Sequence, residues 1–422
     1  MKSAVLAMAS MAAKRAVGDG HHGESAFEAF SDVHVMPIAR SDMTATAVPS
    51  TIFSDNYGPR VFLVGGCTSD QLCPADADYC YCQAVTSECD YYVSGGDYYK
   101  GCADAPNARY RHSAVHVQNK LVLLGGRDAE DNTVTAVDVF DLETGEWSTP
   151  CSWSDAPSDA GAFVENDQVF VVGGYAADYT TLSSLVTLNI TTCATESRAP
   201  MPAGTRGDVQ VLSHSEEHYV AGGFGNDDWC NALATVESYN VATDVWTSHP
   251  DMAKARSDSA MGALMGELFV IGGETLVNCS RSIPVDDVER LYVDNNNQGV
   301  WKEEESIPAD RFRFVAASVN NAIYLFGGQG EFDPSIPGYP VHDTTMLYVP
   351  RTIRELRALE SGLTGAESVA IGFIVFVVVA GLVVLGCLIY AAKKFKGYKK
   401  LVAEPSGPAS ASLTTTTGPD RA

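Results

Sequence analysis

A pattern of four mostly apolar, β-prone residues followed by two glycines occurs six times in this 422-residue chain. The copies occupy residues 61–66, 121–126, 169–174, 218–223, 268–273 and 323–328, and their first glycines are 60, 48, 49, 50 and 55 residues apart. An apolar run of this kind predicts a strand that is buried on both faces. The two glycines permit positive φ angles and close packing of another segment. Repetition at this period predicts a propeller or a solenoid.

Two further residue types keep phase with the glycine pairs. An arginine precedes the pair by sixteen residues in four copies, and the third copy has Pro157 at that position; the arginines are Arg109, Arg206, Arg256 and Arg311. A second predicted strand follows each pair in the second, fourth and fifth copies, and it leads to Trp147, Trp246 and Trp301.

These motifs together resemble the kelch repeat, over residues 30–350. The resemblance implies an all-β fold, a six-bladed kelch β-propeller in which each repeat forms one four-stranded blade. The last repeat reaches Pro350 without a clear fourth strand, whereas Met36-Pro37-Ile38-Ala39-Arg40 repeats the junction found before other blades. We therefore predict that an N-terminal strand around residues 33–35 completes the sixth blade and closes the ring, which removes exposed strand edges.

Residues 67–105 depart from the pattern and are predicted to be a cysteine-rich insertion in the first blade. The run 91–96 resembles a seventh copy, but sixty residues hold one blade and an insertion rather than two blades. Six cysteines in this segment predict a disulfide-stapled loop, with a zinc site as the alternative. They are Cys67, Cys73, Cys80, Cys82, Cys89 and Cys102.

The remaining cysteines of the repeat region suggest two more disulfides. Cys230 and Cys279 occupy equivalent loops of adjacent blades, and Cys151 and Cys193 both fall near the tryptophan position. Ten of the eleven cysteines precede residue 280, which favours an oxidising compartment. Asn189 and Asn278 lie in acceptor sequons for N-glycosylation in a secreted protein.

Both ends of the chain carry segments that indicate a membrane protein. Residues 1–13 resemble a signal peptide and 14–29 a flexible leader, whereas 351–368 read as a stalk. Residues 369–392 contain no charge and predict a transmembrane helix; the lysines beyond it predict a cytoplasmic, disordered tail over 393–422. We expect a single-pass type I protein with its N-terminus extracellular or luminal, in the plasma membrane or an endosomal or lysosomal membrane. Tyr398 and Leu401 match a tyrosine-based sorting signal, the alternative being an interfacial tyrosine.

Charge and the phased arginines bear on function. The formal net charge of −25 argues against a nucleic-acid partner. We expect the arginines to lie on the face of the disc that carries the glycine pairs, where guanidinium groups could capture carboxylates or phosphates. The alternative is that each arginine pairs with a local acid, such as Asp258 or Asp310, and braces a blade junction. The predicted ligand-binding face comprises Arg40, Arg109, Arg206, Arg256 and Arg311.

The sequence favours a membrane-tethered recognition module that binds a protein or a glycan, without a catalytic residue, metal or cofactor that we can assign. The alternative is a membrane-anchored kelch-fold enzyme acting on sugars, epimerase-like or oxidase-like. A dense cluster of acids, tyrosines and histidines at the mouth of the central channel would favour the enzyme. A broad loop surface over a filled channel would favour binding.

Overall fold

The computed structural model describes residues 30–348, apart from 54–56, 71–81, 95, 97, 226–227, 265, 278–280, 294–298 and 321. One short 3₁₀ helix, Ser50–Ile52, accompanies the strands. The strands in chain order are β1 (Phe30–Val35), β2 (Thr44–Val48), β3 (Arg60–Val64), β4 (Cys89–Val93), β5 (Tyr98–Gly101), β6 (Ser113–Val117), β7 (Lys120–Leu124), β8 (Ala136–Asp141), β9 (Glu146–Ser152), β10 (Gly161–Glu165), β11 (Gln168–Val172), β12 (Leu185–Leu188), β13 (Thr195–Ser197), β14 (Arg206–Gly207), β15 (Val211–His214), β16 (Glu217–Ala221), β17 (Phe224–Gly225), β18 (Asp228–Ala232), β19 (Val236–Asn240), β20 (Val245–His249), β21 (Ala260–Leu264), β22 (Glu267–Ile271), β23 (Glu274–Val277), β24 (Arg281–Pro284), β25 (Val288–Val293), β26 (Gly299–Glu304), β27 (Val315–Val319), β28 (Ala322–Phe326) and β29 (Thr344–Tyr348).

The strands form six four-stranded antiparallel sheets and two smaller ones. The larger sheets have the orders β2-β3-β4-β5, β6-β7-β8-β9, β10-β11-β12-β13, β15-β16-β19-β20, β21-β22-β25-β26 and β27-β28-β29-β1. The apolar strand before each glycine pair is the second strand of its sheet, where it has a neighbour on both sides. Its last four residues are buried in every copy, which explains why it is apolar on both faces.

The first strand of the chain belongs to the last sheet. β1 pairs with β29 in antiparallel register from Phe30 opposite Tyr348 to Val35 opposite Thr344, with a register shift between Asp32 and His34. This is the pairing that the sequence predicted for the segment around residues 33–35.

Apolar clusters lie between sheets that are neighbours in the chain. Phe62 of β3 packs with Phe140 of β8, for example, and Phe170 of β11 packs with Tyr239 of β19. Another cluster brings Leu63 of the first sheet against β28 of the last sheet. The phased tryptophans join neighbouring sheets as well, because the indole nitrogens of Trp147, Trp246 and Trp301 donate to the carbonyls of Ala103, Ala199 and Pro250.

The structure corrects the predicted extent of the cysteine-rich insertion. β4 and β5 lie within residues 67–105 and are the third and fourth strands of the first sheet. The apparent seventh glycine-pair copy is therefore β4 and the turn after it, and the inserted residues precede Cys89.

Three disulfides are described. Cys67 is bridged to Cys82, Cys89 to Cys102, and Cys151 to Cys193. Cys73, Cys80, Asn278 and Cys279 lie outside the described residues.

The predicted localisation as a single-pass membrane protein is also corrected. Within residues 30–348, as far as they are described, the structure contains no helix that is both long and apolar enough to cross a membrane. The segments predicted as signal peptide, leader, stalk, transmembrane helix and tail, with Tyr398 and Leu401, lie outside the described residues.

Candidate binding site at the mouth of the central cavity

The phased arginines are internal braces and not a ligand-binding face. All five are at most 1% exposed. Four of them pair with an acid on the third strand of the four-stranded sheet that follows in the chain: Arg40 with Asp90, Arg109 with Asp138, Arg206 with Glu237 and Arg256 with Glu289. The Nη1 atoms of these arginines and of Arg311 also donate to the carbonyl of the first glycine of the pair.

The main chain at the arginine position holds each sheet against the preceding one. The second glycine of every pair donates its N–H to the backbone carbonyl at the arginine position before the next sheet. The Gly328–Arg40 bond joins the last sheet to the first in the same way. The donor–acceptor pairs are Gly66–Arg109, Gly126–Pro157, Gly174–Arg206, Gly223–Arg256, Gly273–Arg311 and Gly328–Arg40. The approach is close enough that a Cβ atom on Gly125 would lie 1.9 Å from the Pro157 oxygen. The glycine pair is therefore a junction between sheets.

Two residues after each phased arginine, and two residues after Pro157 in the third repeat, a charged residue lines the central cavity. We call these six residues the mouth ring: Asp42, Arg111, Asp159, Asp208, Asp258 and Arg313. Each precedes the first strand of its sheet by two or three residues, so the six lie together at one end of the cavity. The ring contains four acids and two bases.

The backbone of the mouth ring is constrained. All six residues have positive φ, between 46° and 55°, a region that L-residues other than glycine seldom occupy and that aspartate tolerates better than most. Main-chain bonds connect neighbouring positions, for example from Arg111 N to Asp42 O and from Asp159 N to Arg111 O. Unusual backbone angles held by a surrounding network concentrate at functional sites.

One half of the mouth ring is electrically balanced. Asp42 lies between the two arginines, with its Oδ1 atom 3.6 Å from Arg111 Nε and 3.7 Å from Arg313 Nε. Arg111 also reaches Asp159 at 3.8 Å, and Arg313 reaches Asp258 at 3.1 Å. Each arginine is thus shared between two acids.

The opposite half, which we call the uncompensated half, has three acids against two arginines that are also shared with Asp42. Carboxylate oxygens of Asp159, Asp208 and Asp258 lie within 4.8 Å of one another. Asp208 is the middle of the three, and in the described part of the chain no basic side chain forms an ion pair with it. Its Oδ2 atom instead accepts a hydrogen bond of 2.6 Å from the hydroxyl of Tyr175.

Two acids of this half, Asp159 and Asp208, hold protons more tightly than isolated carboxyl groups. Burial, reinforced by the charges of Asp258 and Asp159, raises the pKa of Asp208 well above its ordinary value. Burial also raises the pKa of Asp159 to about 6, although Arg111 opposes the shift. Glu274, which follows the glycine pair of the fifth sheet, contacts Asp258, and burial raises its pKa to about 8. Desolvation of the charged form is the shared cause.

The cavity behind the mouth ring is open. It has a volume of about 530 Å³, and the first strands of all six larger sheets line it. Small side chains on these strands leave its centre unfilled, among them Ala45, Ala114, Ala162, Ala263 and Ala316. The six charged residues of the mouth ring therefore lie at one end of an open cavity.

Other predicted residues lie away from the mouth ring. Asn189 is exposed in a turn, where its side-chain oxygen accepts from the backbone of Thr191 and Thr192. Asp310 is one of the two acids considered as arginine partners; burial raises its pKa, and Asp286 and Glu331 add to the shift. The other, Asp258, belongs to the mouth ring.

Comparison with known proteins establishes the family. A family model described as the KLHDC2/KLHL20/DRC7 Kelch-repeats domain matches residues 112–328, slightly more than half of the chain. The chain belongs to the kelch-repeat family, and its fold is a kelch β-propeller. Kelch domains generally bind proteins, so family and fold suggest a protein-interaction module.

Individual relatives are distant. The Kelch-like protein terF of Aspergillus terreus is 23% identical over 237 residues, which cover 53% of this chain and 50% of that protein. Kelch domain-containing protein 3 of Homo sapiens is 27% identical over 248 residues, which cover 53% of this chain and 62% of that protein. The chain thus spans about half to three fifths of the curated relatives described here. The solved structure of YjhT is similar in fold, with a TM-score of 0.57, 13% identity, and coverage of 75% of this chain and 97% of that one.

Proposed function

We propose that this protein is a recognition module, a closed ring of six kelch blades that binds a basic segment of a protein partner at the mouth ring. The observation that carries this proposal is the uncompensated half of the ring. Asp208 lies between two further carboxylates, and its hydrogen-bond partner is a neutral hydroxyl. A lysine or arginine side chain, or an N-terminal amine, supplies the positive charge that these acids lack.

Three features support a closed ring. β1 pairs with β29 in one sheet. The bond from Gly328 to Arg40 repeats the junction found between consecutive sheets. The six first strands all line a single cavity. A ring of this kind brings side chains that are about fifty residues apart in the chain to one opening, which a flat array would not do.

The fit to a basic side chain rests on geometry as well as charge. The acids lie at the entrance of an open cavity whose walls are small side chains, so a long, unbranched lysine or arginine stem could extend into it. Arg111 and Arg313 occupy the other half of the ring and repel a second cation. The mouth therefore favours one basic group rather than a basic cluster.

The test is binding of the purified full-length chain to arrays of basic, neutral and acidic peptides and of glycans, beside Asp208→Asn and Asp42→Asn. We expect selection of peptides that contain Lys or Arg, weaker binding as salt rises, and at least tenfold weaker binding by Asp208→Asn. Asp42→Asn is the matched control, because it makes the same chemical change at the same ring position beside the arginines. Selection of acidic peptides or of glycans, or equal binding by both variants, would refute the proposal.

A second candidate is an acid–base enzyme acting on sugars, of the epimerase-like kind. The observation in its favour is the cluster of acids beside Tyr175 at the opening of an unfilled cavity, which is the arrangement expected for an enzyme. An acid whose pKa is near 6, as for Asp159, is poised to exchange protons at neutral pH. Turnover of free sugars or glycosides that Asp159→Asn abolishes would favour this function over recognition.

A further inference from the structure

The three acids of the uncompensated half have the spacing of ligands around one metal ion. Oxygen ligands surround Ca²⁺ at about 2.3–2.6 Å, so two ligands on opposite sides of the ion are about 5 Å apart. The carboxylate oxygens of Asp159, Asp208 and Asp258 all fall within 4.8 Å of one another. The oxygens could therefore share one ion without a backbone movement.

A second observation concerns the hydrogen bonding of Asp159. Its side chain is only 6% exposed. Its Oδ2 atom is buried, and no donor in the described part of the chain reaches it. A buried carboxylate oxygen without a partner costs free energy, and such groups are rare in folded proteins. A cation held by the three carboxylates would remove that cost.

The nearby arginines do not take the place of this cation. Arg111 contacts Asp159 through Oδ1, the other oxygen of that carboxylate. Arg313 contacts Asp258. Both arginines are also shared with Asp42, on the side of the ring away from Asp208. The two arginines thus compensate the charges of Asp159 and Asp258 but not that of Asp208.

We propose that Asp159, Asp208 and Asp258 bind a hard divalent cation, with Ca²⁺ as the ion that fits best. Carboxylate oxygens are the ligands that Ca²⁺ prefers, and its variable coordination suits three groups delivered by three separate blades. The hydroxyl of Tyr175 orients Asp208 by its hydrogen bond, as partners of metal-binding side chains commonly do. Water in the open cavity completes the coordination.

This proposal stands independently of peptide recognition, but the two ligands share Asp208. A bound Ca²⁺ neutralises the charge that would attract a basic side chain. Calcium is therefore expected to weaken binding of basic peptides, and a basic peptide to weaken binding of calcium, by the same factor.

The experiment uses the full-length protein after treatment with a chelator, titrated with CaCl₂ in a calorimeter and melted with and without the ion. We expect about one Ca²⁺ per chain, a melting temperature that rises with Ca²⁺ concentration, and at least tenfold weaker binding by Asp208→Asn. Glu143→Gln, which changes an exposed acid in the turn between β8 and β9, should keep the ion, since it leaves the three ligands and their neighbours in place. Terbium luminescence excited through tyrosine should appear in the wild type and fall in Tyr175→Phe.

Three results would overturn the proposal: no binding up to about 1 mM Ca²⁺, an equal thermal response in Asp208→Asn and the wild type, or equal stabilisation by NaCl at the same ionic strength. The peptide arrays are read in chelator, so their failure refutes peptide recognition and leaves the calcium result intact. Likewise, peptide binding with no calcium response refutes the ion site alone.

Discussion

The same substitution at two positions of the mouth ring should change stability in opposite directions. Asp208→Asn removes the middle charge of three adjacent carboxylates, whereas Asp42→Asn removes the carboxylate that two buried arginines share. The two residues have nearly equal φ, 55° and 52°, and asparagine tolerates this region as aspartate does, so backbone strain cancels in the comparison. The difference in free energy of unfolding between the variants then reports the electrostatics.

The magnitude follows from the separation of the charges. Two unit charges 4.8 Å apart repel by about 3–4 kcal/mol at an effective dielectric constant of about 20. Protonation already relieves part of this repulsion, because the pKa of Asp208 is raised well above its ordinary value. Asparagine can still accept the bond from Tyr175. We therefore expect Asp208→Asn to stabilise the chelator-treated protein by about 1–3 kcal/mol at pH 7, and Asp42→Asn to destabilise it by about 1–3 kcal/mol.

The sign of the pH dependence gives a second check on the same variant. Because the folded protein keeps the proton of Asp208 to a higher pH than the unfolded chain, this group costs stability as pH rises above about 4. The gain from Asp208→Asn should therefore be largest near neutral pH and vanish near pH 3.5. Chemical denaturation of both variants across this range is the assay. A destabilised Asp208→Asn at pH 7, or a gain that grows at low pH, would show that the three carboxylates do not repel one another as described.

Three further predictions concern the blades. Arg256→Ala should cost about 3–5 kcal/mol in denaturant unfolding, because it leaves the carboxylate of Glu289 buried without its partner, and a cost below about 1 kcal/mol would exclude the brace. Gly272→Ala should destabilise the protein by several kcal/mol, since its Cβ would lie 2.7 Å from the backbone oxygen of Arg311. Gly266→Ala, with open space around it, should cost only about 1 kcal/mol. Equal losses would contradict the close packing of neighbouring sheets at the glycine pair. Burial lowers the pKa of His218 to about 4. The neutral imidazole therefore contributes up to about 3 kcal/mol of stability above about pH 6.5, and this contribution is lost as pH falls towards 4. His218→Phe should flatten the pH dependence of the melting temperature, and an unchanged dependence would contradict this role of His218.

The sequence predicted the blades because their signals are local. The apolar run, the glycine pair and the tryptophan each act within one repeat or on the adjacent one, so their spacing is visible along the chain. The sequence also suggested that each phased arginine pairs with an acid, but the acids named there, Asp258 and Asp310, are not the partners that the structure shows. The acid lies on the third strand, opposite the residue two before the first glycine: Glu237 opposite Val220, and Glu289 opposite Val270.

The third blade supports this interpretation of the brace. It has Pro157 where the others have arginine, and Val186 where four of them have an acid, opposite Val171 in the same register. Both partners of the ion pair are thus replaced together by apolar residues. This paired change could have identified the brace from the sequence alone.

The mouth ring could not be predicted in the same way. Its members come from six repeats, and no single repeat shows the contrast between three adjacent acids and an acid flanked by two arginines. Their shared position in the repeat, two residues after the phased arginine or Pro157, can be read from the sequence. What the sequence does not show is that all six adopt positive φ and face one cavity, because an extended backbone at these positions would direct the side chains differently. Exposure of the arginines was misjudged for a related reason, since the third strand supplies their partners.

The pairing of β1 with β29 has a consequence for synthesis of the chain. Some 300 residues separate the two strands, and a ribosome adds about 5–20 residues per second, so β1 emerges roughly 15–60 s before its partner exists. During that interval the other sheets can form in order of synthesis, while the first strand waits without a neighbour. The last sheet is the one that cannot assemble until residues 344–348 have been synthesised. Nascent chains stalled before residue 344 should therefore be the species that chaperones retain and that proteases cut near their N-terminus.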